Sequence, residues 1–175
     1  MHFPPYPLFI PPGTLGEKTP PEWSRREAEE YGNWLQSCIP DRVGSLIRYF
    51  GMDETAPSSS LLESLGQRVA EALVHEPFSE DGRLTNQGHA LAADMGLLLA
   101  VALKRENTEL TWEIVRKPKS DVDYHQPVLV GFPDGVPCNP VHISTMQAFG
   151  VLNGNKDGTA WRRIFKTWND FVRRA

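Results

Sequence analysis

The sequence predicts an α+β fold in which about six helices pack around a small antiparallel three-stranded sheet. Apolar residues recur at the spacings of three, four and seven that mark amphipathic helices, both before residue 107 and after residue 139. Between these parts, residues 110–138 form short apolar and β-branched runs separated by turn residues. Because helices precede and follow the strands without alternating with them, the pattern is α+β and not α/β.

The first 21 residues are expected to form an extended arm on a single α+β domain that covers residues 22–175. The chain has 15 prolines, and seven of them precede Glu22. Proline removes an amide donor and moves its predecessor out of the helical region. Apolar side chains such as Tyr6 and Phe9 indicate that the arm lies in a groove on the domain. The alternative is a proline-rich ligand for an aromatic groove on another protein.

Capping boxes predict where two of the helices begin. In this motif a serine and a glutamate three residues later satisfy each other's backbone amides, as in Ser24–Glu27 and Ser60–Glu63. Pro40 is expected to end the first helix and to begin a second one, which ends at Gly51. The third helix follows the second capping box, and Pro77 is expected to stop it.

The fourth helix, roughly Asn86 to Glu106 with Thr85 as its N-cap, is expected to be the central buried helix. From Ala90 to Leu103 it is apolar almost all round, apart from Asp94. A carboxylate in such a place has to be paired, hydrogen-bonded or at a cavity, since bare burial costs several kcal/mol. Asp94 is therefore either a structural partner of a loop amide or an arginine, or a functional carboxylate that faces a cleft.

The block after the central helix is expected to supply the sheet and two more helices. Asp134-Gly135 is a turn signal, and Asn139 and Pro140 suit the N-cap and first position of a helix that ends at about Leu152. The last helix begins at about Thr159. The three strands are predicted at Leu110–Lys117, Pro127–Phe132 and Val136–Cys138.

The loop of residues 119–126 holds the main candidate site. It carries two carboxylates and an imidazole, Asp121, Asp123 and His125, and these alternate positions would share one face of an extended segment. Such a set could form a metal site or an acid–base pair, although it lacks the glycine and the distant glutamate of a calcium loop. The interpretation we favour is a solvated loop that contacts a protein partner. Its candidate contact residues are Lys119, Asp121, Asp123, Tyr124 and His125.

Cys138 and His142 form a second candidate pair, four residues apart across a predicted helix start. A thiol at a helix N-terminus can have its pKa lowered, and a nearby imidazole could activate it as a nucleophile. Catalysis would also require an orienting group and an oxyanion hole, which the sequence does not show. Packing in the core is the interpretation that we favour for both residues, so Asp94, His142 and Cys138 are the polar residues expected in the interior.

Composition and motifs argue against several functional classes. The net charge is −4, and the small basic cluster Arg116–Lys119 lacks the many interleaved basic and aromatic residues of a nucleic-acid surface. The main nucleotide-binding, hydrolase and zinc-protease motifs are absent, and we expect no cofactor. The longest apolar run, Leu97–Leu103, is far short of the roughly 20 residues that span a bilayer. With no signal-peptide pattern at its start, the protein is expected to be cytoplasmic.

The central block resembles a group of small, uncharacterised bacterial cytoplasmic proteins of the α+β class. The similar features are the helix around ALAADMGLLLA, the strand that begins at Trp112, the segment KPKSDVDYHQPVLVGF, the NPV before the next helix, and EAEEYGNWL near the start. The resemblance covers Glu22 to Phe171. The resemblance implies a fold and no particular activity. Several proteins of this class, size and acidity are similar to immunity proteins, which neutralise a toxin made by the same bacterium.

The function that we predict is non-enzymatic protein binding, of the immunity type. An acidic face and the 119–126 loop would engage a protein partner such as a basic toxin, and electrostatic complementarity would mainly set the association rate and the specificity. The alternative is a metal-dependent or hydrolytic enzyme that uses Asp121, Asp123 and His125, with Asp94 or Cys138 as a further group. Membrane and nucleic-acid partners are not expected.

Overall fold

The computed structural model describes residues 3–53 and 56–173, which form an α+β protein. Residues 1–2 of the predicted arm lie outside the described residues. The described ranges contain five α-helices: α1 (Arg25–Tyr49), α2 (Ser59–Leu73), α3 (Asn86–Glu106), α4 (Pro140–Leu152) and α5 (Ala160–Val172). They contain four strands: β1 (Ser79–Glu80), β2 (Arg83–Leu84), β3 (Thr111–Ile114) and β4 (Pro127–Val130).

Helix α3 is the centre of the fold, as the sequence predicts. It has the predicted bounds, and Thr85 caps it by accepting a hydrogen bond of 3.2 Å from the Gly88 amide. Its residues 97–100 are fully buried, and α1, α2, α4 and α5 all pack against it. Although α3 is largely apolar, no helix in residues 3–53 and 56–173 is long and apolar enough to cross a membrane.

Two glycines on α3 let neighbouring segments approach its backbone. A Cβ atom at Gly96 would lie 2.5 Å from the carbonyl oxygen of Pro140, at the start of α4. A Cβ atom at Gly88 would collide with the carbonyl oxygen of Phe78, just before β1. The close contact at Gly96 fixes the first turn of α4 against α3, and this turn carries part of the candidate site.

Helix α1 shows that the predicted break at Pro40 is wrong. The helix runs continuously from Arg25 to Tyr49, so the described residues contain five helices and not six. A proline inside a helix removes one backbone bond and crowds the preceding turn, at a cost of about 3 kcal/mol. Pro40 itself is exposed, whereas Leu35, Val43 and Leu46 on either side of it are buried in one continuous core. Tertiary packing therefore overrides local propensity here.

The start of α2 also differs from the prediction. Ser58, and not Ser60, is the N-cap, and its side chain accepts a hydrogen bond of 3.0 Å from the Leu61 amide. Ser58 has the extended backbone that an N-cap requires, whereas Ser60 already lies inside the helix. The capping box at Ser24–Glu27 is present as predicted.

The predicted three-stranded sheet is wrong, and the described residues form two separate two-stranded antiparallel sheets. In the larger one, β3 pairs with β4 so that Trp112 lies opposite Leu129. The predicted third strand, Val136–Cys138, contacts β4 at one position, where Leu129 and Cys138 exchange backbone hydrogen bonds of 2.7 and 2.8 Å. Pairing stops there because Gly131, at a φ of +103°, turns the chain away and Pro137 has no amide to donate.

The second sheet is a hairpin between α2 and α3, a segment for which no strand is predicted from the sequence. It pairs Ser79 in β1 with Leu84 in β2. Asp81 and Gly82 at its turn have φ values of +48° and +72°, both positive as in a type I′ turn. An Asp-Gly pair is a good hairpin signal, but strands of two residues are too short for alternation to show.

The arm lies on the body of the protein, between α1 and α3. Tyr6 is 3% exposed and belongs to the main core. The Tyr49 hydroxyl donates to the Pro4 carbonyl oxygen at 2.6 Å, and the Tyr6 amide donates to the side-chain oxygen of Gln87. The proline-rich segment is therefore an internal packing element of this chain.

Replacement of Pro40 by alanine is expected to stabilise the protein. The change restores the missing backbone bond in α1, which outweighs the freedom that the unfolded chain gains. The free energy of unfolding should therefore rise by about 1–2 kcal/mol. Urea unfolding at pH 7 measures the gain. The matched control is the exposed neighbour Asp41→Ala, which should change the value by less than about 0.5 kcal/mol. A loss of stability in Pro40→Ala would show that α1 requires the proline.

Candidate functional site

The loop between β3 and β4 is a compact series of turns. The Asp121 amide donates to the Pro118 carbonyl, and the Tyr124 amide donates to the Asp121 carbonyl, both at 3.1 Å. The Asp121 side chain accepts a further bond of 2.8 Å from the Asp123 amide, which is an Asx turn. The Gln126 amide closes the series by donating to the Asp123 carbonyl at 2.8 Å. The conformation of this loop is therefore set by its own residues.

His125 occupies the glycine position of a G1 β-bulge. Val115 faces both His125 and Gln126: the His125 amide donates to the Val115 carbonyl at 2.7 Å, and the Val115 amide donates to the Gln126 carbonyl at 3.1 Å. The φ of His125 is +64°, in the left-handed region that costs a residue with a Cβ roughly 1–2 kcal/mol. The bulge therefore stores backbone strain beside the loop.

The side chain of His125 is buried with one ring nitrogen unsatisfied. It is 7% exposed, and its ring stacks on Tyr124 with the centroids 3.9 Å apart. Its Nδ1 has no hydrogen-bond partner among the described residues. Buried polar atoms are nearly always paired, and strained residues concentrate at functional sites. These two properties single out His125 within the loop.

The loop does not place the three predicted ligands on one face. That arrangement required an extended segment, whereas residues 119–126 form turns and bends. Asp121 binds its own loop, Asp123 binds residues of α4, and His125 stacks on Tyr124. Within residues 3–53 and 56–173, no group of three or more His, Cys, Asp and Glu side chains is placed to hold a metal ion.

Asp123 connects the loop to the start of α4. Its Oδ1 lies 3.1 Å from Nδ1 of His142 and accepts a hydrogen bond of 2.8 Å from the side-chain amide of Asn139. Asn139 in turn caps α4 by accepting a bond of 3.0 Å from the His142 amide. The side chains of His142 and Asp123 are 35% and 17% exposed, so the pair lies at the edge of solvent. A carboxylate in this position orients the imidazole ring.

Spacing along the sequence did not predict this pair. It places Asp123 with His125 and His142 with Cys138, but the structure brings Asp123 to His142. The pairing depends on how the chain between β4 and α4 folds back toward the loop. The spacing of residues along the sequence does not show this. Asn139 is the one residue of this group whose role the sequence indicates: it caps α4 as predicted, and its side-chain amide also binds Asp123.

Cys138 packs in the core, and its thiol is not activated. The side chain is fully buried. Burial, with a smaller contribution from the charge of Asp123, raises the pKa of the thiol to about 12. A nucleophilic cysteine needs the opposite shift. His142 therefore has the orienting carboxylate that catalysis requires, but the thiol of Cys138 stays protonated at neutral pH.

Asp94 is fully buried and bound by an arginine, which is one of the two environments that the sequence predicts. Arg42 donates from Nε to Oδ1 at 2.8 Å and from Nη2 to Oδ2 at 2.7 Å, and the Tyr6 hydroxyl donates to Oδ2 at 2.6 Å. Burial raises the pKa of the Asp94 carboxyl to about 6, against the opposing effects of Arg42 and Tyr6. Burial, and then the charge of Asp94, also raise the pKa of the Tyr6 hydroxyl.

Arg42 also holds the arm. Its Nη1 donates to the Leu8 carbonyl at 3.1 Å, and its Nη2 donates to the Pro7 carbonyl at 2.9 Å. The guanidinium lies over the ring of Phe9, 4.1 Å from the ring centroid, which is a cation–π contact. One side chain thus connects the arm with α1 and α3.

Comparisons with known protein families, with curated proteins and with solved structures found no match for this chain. The resemblance to immunity proteins therefore remains a prediction, and functional inference has to rest on the geometry of the described residues.

The pH dependence of stability should report the raised pKa of Asp94. The native carboxyl keeps its proton up to about pH 6, whereas the unfolded chain releases it near pH 3.8. The native state therefore binds more protons in this interval. This contribution to stability is full below the unfolded pKa and is lost as the pH rises through the native one. Its size is about 3 kcal/mol at most.

Asp94→Asn, which cannot titrate, isolates this contribution. The variant is less stable at pH 7 because it leaves Arg42 without its counter-charge. The test is therefore how the stability difference between wild type and variant changes with pH. The unfolding free energy of the wild type minus that of the variant, measured in urea between pH 4 and pH 7, should fall as the pH rises. A carboxyl pKa lowered by the ion pair would give the opposite slope and contradict the prediction.

Substitution of His125 tests the strain in the bulge. His125→Gly and His125→Ala both remove the ring, but only glycine adopts a positive φ without a steric penalty. We therefore expect His125→Gly to be more stable than His125→Ala by about 1 kcal/mol, measured by urea unfolding. Equal stabilities, or a more stable alanine variant, would show that the left-handed backbone at this position is not strained.

Proposed function

We propose that this chain is a non-enzymatic protein-binding domain that contacts its partner through the loop of residues 119–126. The observation that carries the proposal is Val122, an apolar side chain that is 68% exposed in a loop whose turns are fixed by backbone bonds. A single exposed apolar residue is ordinary on a protein surface. A fixed loop around it favours recognition, because a partner does not have to order the loop on binding.

The predicted contact residues have two different roles in this proposal. Lys119 is exposed and Asp121 is partly exposed, so both are available to a partner. Tyr124 and His125 are 8% and 7% exposed, and they support the loop from the interior. Asp123 fastens the loop to α4. The contact surface is therefore smaller than the predicted set, and the other residues keep it in shape.

The proposed partner is a basic protein in the cytoplasm, such as a toxin that an immunity protein neutralises. The net charge of −4 supports a basic partner, because opposite charge accelerates encounter and disfavours partners of the wrong sign. The raised pKa of the Cys138 thiol favours binding over cysteine-based hydrolysis.

A photo-crosslinking residue at position 122 tests the contact. With benzoylphenylalanine in place of Val122, ultraviolet light should join the chain to one predominant protein in the cells that produce it. Val74, which is 48% exposed at the C-terminal end of α2, is the control position and should not give this product. Identical products from both positions would contradict a contact through the loop.

The protein captured at position 122 then allows a direct measurement of affinity. Val122→Lys should weaken binding at least tenfold, about 1.4 kcal/mol, because it places a solvated positive charge against a basic partner. Its melting temperature should not change, since the side chain is 68% exposed. For an immunity protein, the partner should also be toxic to bacteria, and the wild type but not Val122→Lys should restore growth. Unchanged affinity in Val122→Lys would overturn the proposal.

The Asp123–His142 pair supports a second candidate function. A partly exposed imidazole that is oriented by a carboxylate suits general acid–base catalysis, so a hydrolytic or metal-dependent enzyme is the alternative. His142 takes the place of His125 in the predicted set of residues. Metal analysis and ester and phosphoester hydrolysis assays on the wild type, His125→Ala and His142→Ala distinguish the two functions. Stoichiometric metal that is lost in either variant, or hydrolysis that is lost in His142→Ala, would favour the enzyme.

A further inference from the structure

A cleft opens between the arm and the helices α1, α3 and α4. Its volume is about 460 Å³, within the range of small-molecule sites. Phe9 of the arm, Tyr31 and Leu35 of α1 and Val141 of α4 are among its walls. No residue of the 119–126 loop lines it, so the cleft is separate from the proposed contact surface.

The wall formed by the arm is held in place. The ring of Phe9 contacts Trp34, with the centroids 6.2 Å apart, and lies under the guanidinium of Arg42. Arg42 also fixes the backbone of Leu8, another lining residue. Ala90 and the neighbouring Ala93 of α3 belong to the opposite side, where their small side chains leave the space open. The cleft is therefore formed before a ligand arrives.

Three polar side chains line this cleft. Asn86 and His89 lie one turn apart near the start of α3, and neither side chain makes a hydrogen bond within the described part of the chain. Helix α4 runs back along α3, since its start contacts Gly96 and its later residue Phe149 contacts the ring of His89. Thr145, one turn before Phe149, also lines the cleft, and its hydroxyl donates to the Val141 carbonyl at 2.9 Å, so it offers an acceptor to a ligand. These groups offer both donors and acceptors to one polar part of a ligand.

The charges around the cleft indicate an uncharged ligand. Its described lining contains no Asp, Glu, Lys or Arg. Arg42, which lies over the lining residue Phe9, is bound to Asp94 and to the arm. A charged ligand would therefore lose its hydration without gaining a counter-charge.

We infer that this cleft binds a small, uncharged molecule with an aromatic or aliphatic body and one hydrogen-bonding head group. The body contacts Phe9, Tyr31 and Ala93, and the head group binds to Asn86, His89 and Thr145. Because the arm supplies one wall, an occupied cleft stabilises the docked arm by mass action.

Two fluorescent probes with the same aromatic body test this inference. N-phenylnaphthylamine is uncharged and carries one amine donor, whereas anilinonaphthalene sulfonate adds a negative charge. The uncharged probe should bind the full-length chain saturably with one site, and the sulfonate should bind at least tenfold more weakly. Equal affinities, or no saturable binding of the uncharged probe, would overturn the inference.

Variants locate the probe in the cleft. Ala93→Phe fills the space and should lower the affinity at least tenfold, while Thr145→Val keeps the shape, removes the hydroxyl and should lower it severalfold. Met146→Phe, at a position that is 51% exposed on α4 and outside the lining, is the matched control and should leave the affinity unchanged. Melting temperatures establish that each variant is folded.

Two results would assign the cleft differently. Affinity that persists in a folded Ala93→Phe variant would place the probe elsewhere on the surface. A dimer that dissociates when the probe binds, observed by size-exclusion chromatography, would mean that a second copy of the chain covers the cleft. Either result would overturn the small-molecule site.

Discussion

The ion pair between Arg42 and Asp94 joins three parts of the chain that are far apart in sequence. It binds α1 to α3, and through Tyr6 and the Pro7 and Leu8 carbonyls it binds the arm to both helices. Removing two charges from water costs several kcal/mol per ion, and a buried pair is tolerated only when the remaining donors and acceptors are satisfied. Here the arm satisfies them, so the pair and the docked arm depend on each other.

The same ion pair distinguishes one position on the otherwise uniformly apolar surface of α3. Helix α3 is apolar on nearly all sides, and a purely apolar surface specifies poorly how its neighbours align along it. Asp94 is the single charge between residues 90 and 103, and its two oxygens accept bonds from fixed directions. We infer that these bonds set the alignment of α1 and the arm on α3. The walls of the adjacent cleft follow from this alignment.

Features determined by local sequence were predictable. The bounds of α3, the caps Thr85 and Asn139, and the need of Asp94 for a partner all follow from the residues themselves. The predictions failed where distant contacts decide the structure. Pro40 stays helical because both sides of it pack into one core, and the third strand is lost because Gly131 turns the chain away. The hairpin strands are too short to leave a pattern.

In the candidate site, too, local features were predictable and long-range contacts were not. Its loop was predictable as a polar turn region, but the pairing of Asp123 with His142 and the burial of Cys138 depend on how β4 leads into α4. The bulge that gives His125 a positive φ arises from two residues facing Val115, and a histidine carries no sequence signal for that position. Composition and spacing could list these residues but not group them.

The docked arm has a consequence for biosynthesis. Tyr6 is translated 88 residues before the carboxylate that receives its hydroxyl. At about 5–20 residues per second, this segment leaves the ribosome roughly 4–18 seconds before its acceptor does. During that delay Pro4, Pro5 and Pro7 prevent the segment from pairing as a strand or coiling into a helix, because they lack amide donors. The prolines therefore keep this apolar nascent segment from forming non-native strand or helix contacts until Asp94 is available.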